Sequence, residues 1–131
     1  MKKVIVASFI LICGMTNVNA ADFSVSYKWC NPSFRTTSPS VEIKNAPKDT
    51  AKLEITIVDL YNGKLHLNAK IDYQNQKTFE CGSLAKYWDG LGYPPGHCGN
   101  GVPHTYAMTA KAIDKSGNTT SKAEFNRGCP E

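Results

Sequence analysis

A chain of 131 residues, 41% hydrophobic and 20% charged, has room for one domain with a modest core and not for two. Its formal charge of +4 is scattered rather than gathered into a run, and Lys2 and Lys3 account for half of it. That balance excludes the basic footprint of a nucleic-acid-binding or membrane-surface protein.

The first element is an address. Lys2 and Lys3 precede an apolar run from Val4 to Cys13, and a small-residue site, Val18-Asn19-Ala20, closes it, as in a cleaved export signal. Cleavage after Ala20 leaves 111 residues, 131 less 20, with 13 basic against 11 acidic side chains. The expectation is a single mature domain over residues 21–131, working in the periplasm or outside the cell. No later stretch approaches the length of a transmembrane helix.

Within the mature chain the elements alternate with period two. Residues 23–29, FSVSYKW, place Phe23, Val25, Tyr27 and Trp29 on one side; Val41 and Ile43 mark a shorter strand. Lys52–Leu60 places Leu53, Ile55, Ile57 and Asp59 on one side. Leu65–Tyr73 and Thr105–Ile113 follow the same period, the latter with Tyr106, Met108, Ala110 and Ala112 together. Turn signals separate them: NPS, SPS, NAP, YNG, GYPPG and KSGN. Only CGSLAKYWDGL has a helical spacing, with Leu84, Tyr87, Trp88 and Leu91 on one face of a turn or two. The predicted class is mainly β with little helix.

Of five cysteines, Cys13 leaves with the leader. The four that remain, in a short exported chain, read as two disulfides with three connectivities open. The preferred pairing is Cys30–Cys129, tying the ends of the domain, with Cys81–Cys98 closing the loop before His104. A zinc site would need the short paired Cys/His spacing that is absent here. Enzyme signatures are absent too. There is no G-x-S-x-G elbow, no H-E-x-x-H and no phosphate loop opening a helix, and Asp72 and Glu80 have no context for acid–base work. The expectation is a non-enzymatic protein without a cofactor.

Two blocks carry a resemblance. SPSVEIKNAPKDTAKLEITIVD aligns Ser38, Pro39, Val41, Pro47, Thr50, Leu53, Ile55, Ile57 and Asp59 with a segment of the phosphatidylethanolamine-binding protein (PEBP) family. In the second, Tyr87 and, within GLGYPPGHCGNGVPHTY, Gly92, Pro94, Pro95, Gly96, His104 and Tyr106 can be laid on that family's proline-pair block and its H-x-Y. The chain departs from the family in having Ile43 for a tryptophan, Leu60 after Asp59, and a shortened segment around His66. It resembles a shortened, exported bacterial member.

The resemblance implies a PEBP-like β-sandwich or sheet domain with a small anion pocket for phosphate, carboxylate or a phospholipid head-group. Asp59, His104 and Tyr106 would line it, with His66 as the second histidine and Gly92, Pro94 and Pro95 at the rim. Residues two apart on a strand face one way, so His104 and Tyr106 can converge on one ligand, with Asp59 fixing the imidazole tautomer. Taken singly, each residue has a plainer reading: Asp59 as turn chemistry before YNG, His104 as a surface or structural histidine, Tyr106 as core. By parity in its run, His66 reads as solvent-facing. The alternative function is an immunoglobulin- or fibronectin-like interaction module. Residues His104–Phe125 would then form a late hairpin turning at Asp114–Asn118, and Asp59, His104 and Tyr106 would be scattered.

Overall fold

The computed structural model describes residues 22–30, 37–91 and 104–129, the last of these, Cys129, by its backbone alone. The leader and the rim residues Gly92, Pro94 and Pro95 lie outside the described residues, as does Cys98.

Seven strands and one 3-10 turn make up the described chain. In order they are β1 (Ser24–Lys28), β2 (Ser40–Lys44), β3 (Lys52–Asp59), β4 (Leu65–Asp72), β5 (Thr78–Phe79), the 3-10 turn Ala85–Tyr87, β6 (His104–Ile113) and β7 (Thr119–Cys129). They form two sheets, β1-β2-β5 and β4-β3-β6-β7, in which every pairing is antiparallel. The mainly-β expectation holds.

Alternation places the core. In β3 the residues Leu53, Ile55, Ile57 and Asp59 are all buried, and in β6 so are Tyr106, Met108, Ala110 and Ala112. From the smaller sheet Val25, Tyr27, Val41 and Ile43 join the same cluster, so the inward faces of both sheets share one core. The Tyr27 hydroxyl donates to the Tyr106 carbonyl at 2.9 Å, a direct buried link between the sheets. The segment read as weakly helical shrinks to the 3-10 turn, but its apolar face is real: Leu84 and Leu91 are buried, with Tyr87 and Trp88 packed against the core.

The hairpin at Asp114–Asn118 is also present, joining β6 to β7. Asp114 Oδ1 accepts the N–H groups of Ser116 and Asn118, both at 2.9 Å, the local bonding that makes aspartate a turn residue. That hairpin was the feature held in common with an immunoglobulin-like module. Here it forms one edge of a β4-β3-β6-β7 sheet.

The disulfide expectation requires correction. Cys30 is bonded to Cys81, so neither Cys30–Cys129 nor Cys81–Cys98 forms. Topology supplies the reason. Strands β1 and β5 both run antiparallel to β2 and therefore leave the sheet at the same end. Cys30 and Cys81 each lie two residues past the end of their strand. Between them sits Ser38, fully buried, whose carbonyl accepts the Gly82 N–H at 3.0 Å and whose hydroxyl accepts the Leu84 N–H at 3.1 Å. The Ser-Pro of the first block is thus the post on which the turn after Cys81 hangs. It brings that turn back beside Cys30.

Candidate functional site

One end of the larger sheet departs from apolar patterning. Register sets Asp59 of β3 opposite Tyr106 of β6, and His104, two residues before Tyr106, is the diagonal neighbour on the same inward face. Asp59 is 2% exposed, Tyr106 6% and His104 7%. His104 Nδ1 lies 2.7 Å from Asp59 Oδ2. The carboxylate accepts, so the proton is on Nδ1 and Nε2 is left for another partner. The other carboxylate oxygen, Asp59 Oδ1, accepts the backbone N–H of Tyr61 at 2.8 Å. Asp59 therefore serves both readings at once: it holds the turn into Tyr61-Asn62-Gly63, and it orients a buried imidazole. The Tyr61 ring stacks on His104 with centroids 4.5 Å apart, lying over it although Tyr61 itself is 59% exposed.

His66 overturns its parity. Leu67 and Ala69 face inward and Asn68 and Lys70 outward, so unbroken alternation would send His66 to solvent. The β3–β4 ladder shifts register between Ile57 and Val58, which pair with Leu67 and Leu65 respectively, leaving His66 as the extra residue. Such a bulge re-aims a side chain, and His66 is buried at 5% exposure. Its ring sits 5.7 Å from that of Tyr106. His66 Nδ1 donates to the Gly90 carbonyl at 2.7 Å, again committing Nδ1 and leaving Nε2. Gly90 adopts φ of +75°, a conformation natural to glycine, and the preceding Asp89 N–H donates to the His66 carbonyl at 2.8 Å. The end of the CGSLAKYWDGL segment is thereby clipped on both sides of His66.

Aromatic residues that sequence reasoning assigned only to core faces enclose this group. Trp29, at the end of β1, makes an edge contact with Tyr106 at 5.3 Å and lies 6.3 Å from Trp88, whose ring is 6.2 Å from His66. The indole Nε1 of Trp29 and that of Trp88 are both buried and have no hydrogen-bond partner among the described residues. No signal in the sequence marks them as polar contributors, because an aromatic at a core-facing position is satisfied by packing alone. Tyr61 was missed for a different reason: it belongs to a turn, where side-chain direction is not set by period.

The electrostatics follow from burial. The Tyr106 hydroxyl is pushed above the usual tyrosine range, first by burial and second by the negative charge of Asp59. It stays a neutral O–H across physiological pH. The four residues singled out in the sequence, Asp59, His66, His104 and Tyr106, are thus brought to one end of one sheet, not scattered.

Comparison with known proteins adds the fold. No protein-family model matches the chain, and no curated protein matches it. Among solved structures it is similar to E. coli YbcL, described as a new member of the mammalian PEBP family. That match has a TM-score of 0.59 and 14% sequence identity, and covers 82% of this chain and 98% of that one. The two sequence blocks and this likeness agree on the fold, and the chain has a PEBP-like fold.

Proposed function

We propose that this protein is an exported, non-catalytic binding protein whose sheet end at Asp59, His104, Tyr106 and His66 takes a small anion: phosphate, carboxylate or a phospholipid head-group. The two sheets, read as a sandwich, hold that end rigid. The observation that carries the reading is the buried Asp59–His104 pair with a second buried histidine beside Tyr106. A core gains little from such groups, since their hydrogen bonds mainly offset the cost of leaving water and an apolar side chain would fill the space. With Nδ1 committed in both histidines, Nε2 donates to a ligand oxygen only in the imidazolium form, whereas the neutral Tyr106 hydroxyl is a donor in either case. Leu60, Tyr61 and Leu65, exposed around the β3–β4 turn, offer apolar surface next to the pair, which suits a ligand with a hydrocarbon part. The disulfide fits an oxidising compartment such as the periplasm or the cell exterior.

The test is a titration with inorganic phosphate and with glycerophosphoethanolamine, read by NMR on the carbon-bound ring protons of the histidines. Saturable shifts at His104 and His66 that disappear in His104→Ala are the expected result. A folded protein whose histidine signals stay fixed at millimolar concentrations of both compounds would refute the reading.

A further inference from the structure

We propose that Trp29 and Trp88 are ligand-contacting residues, supplying two indole N–H donors to the same sheet end, so that the ligand is an oxyanion with at least two acceptor oxygens. This rests on the anion-binding reading above and narrows it. Three observations converge. First, the two indole Nε1 atoms are buried without partners among the described residues. A buried donor left unpaired costs about 1–3 kcal/mol, and native proteins leave few of them without a water, an ion or a ligand to answer. Two in one cluster, with their rings 6.3 Å apart, point to a common acceptor.

Second, both rings touch the site and not merely the core. Trp29 packs its edge against Tyr106 and Trp88 lies against His66. Third, the two come from segments distant in sequence that the fold ties together: Trp29 precedes Cys30, and Cys81 opens the turn that ends in Trp88, so the Cys30–Cys81 bond joins the two backbones that carry them. Trp88 is further held by a β-bridge to Leu67, next to His66.

The charge balance makes neutral donors necessary. When His104 is an imidazolium its charge is answered by Asp59 at 2.7 Å, and when it is a neutral imidazole the pair is negative. In neither form does the pair carry net positive charge with which to hold an anion unaided. Donors that carry no charge and need no titration must then do much of the holding: indole N–H groups, with the Tyr106 hydroxyl. Tryptophan suits the task because it donates and never accepts, which selects oxygen acceptors over donor ligands.

Trp29 and Trp88 are the two tryptophans of the chain, so the oxidised protein has two indole N–H resonances, and Trp29→Phe and Trp88→Phe assign them. Inorganic phosphate and glycerophosphoethanolamine are titrated in separate arms while the indole signals and the His104 ring protons are followed together. Both indole signals should move downfield, with the same apparent Kd as His104, and their hydrogen exchange should slow. Each phenylalanine variant should weaken binding about ten- to a hundredfold, the range of a hydrogen bond to a charged group. The arm that saturates at lower concentration tells free phosphate from head-group. A His104 response with silent indoles overturns this proposal and spares the anion site; the indole N–H groups would then face a ring or a trapped water. Silence in all signals overturns both readings. Because the indole shifts are read in the unsubstituted protein, the result stands even if a variant folds poorly.

Discussion

Strands β3 and β6 run side by side for eight paired residues, and their two ends are built differently. At one end Leu53 faces Ala112, both fully buried, and Ile113 closes the sheet opposite Lys52. At the other, Asp59 faces Tyr106 with His104 on the diagonal, and all three are buried. Strand parity is the same throughout. Period two dictates which side chains point inward and says nothing about what they must be. The apolar end follows the rule that a core is filled with groups that lose nothing on leaving water. The polar end breaks it and offsets part of the desolvation cost by internal hydrogen bonds. Local rules are broken where something other than stability is at stake, and along β3 and β6 the break falls at one end.

The comparison can be broken by substitution. The largest expected effect is at the staple beside the polar end: Cys30→Ala with Cys81→Ala should lower unfolding free energy by about 4 kcal/mol, from the entropy of closing a 51-residue separation. Urea denaturation measures the loss, and a changed tryptophan emission in the still-folded fraction would report that Trp29 and Trp88 depend on the bond for their placement. Next is the apolar end. Leu53→Ala should cost about 3 kcal/mol by transfer and cavity terms, with phosphate affinity unchanged in the folded protein. If affinity falls with stability there, the two ends are one unit and the contrast is false.

Asp59→Asn should cost less, about 2 kcal/mol, yet alter the His104 ring signals and their response to phosphate, which Leu53→Ala leaves alone. The smallest effect is alkaline. Tyr106 is raised above the ordinary tyrosine value, so the unfolded chain gives up this proton before the folded one does. Its contribution to stability is complete below about pH 10 and is lost as pH rises through the folded value. Tyr106→Phe should remove that part of the alkaline loss. Asp59→Asn should narrow the window without closing it, because burial, the larger cause, remains. Urea midpoints on either side of about pH 10 decide both.

Much of this was legible in the residues. Strict alternation in Lys52–Leu60 and Thr105–Ile113 placed both strands and their buried faces, while the meeting of Asp59 with His104 and Tyr106 was implied by the family resemblance and not by the period. What escaped depends on contacts between distant segments. The inward turn of His66 comes from a register shift against β3, which a single-strand pattern does not encode. The Cys30–Cys81 bond follows from β1 and β5 leaving a common neighbour at the same end, and β5 is two residues long, too short to show a period. Strand β7 alternates only weakly, with Ala123 buried, Phe125 partly so and polar residues elsewhere. The tryptophans were visible as residues and invisible as donors, since the state of an indole nitrogen depends on what the rest of the chain fails to offer it.

The bulge opposite Ile57 and Val58 gives this protein an unusual sensitivity to chain length. Most surface turns accept or lose a residue at small cost. Here, deleting one residue between Gly63 and His66 would let β4 pair without its extra residue. Leu67, Ala69 and the core they build would stay as they are. His66 alone would be absorbed into the ladder and rotated to solvent. A lineage could thus discard one histidine of the site in a single step while keeping a folded protein, and relatives that differ by one residue in this turn would share a scaffold but differ in what the sheet end can hold.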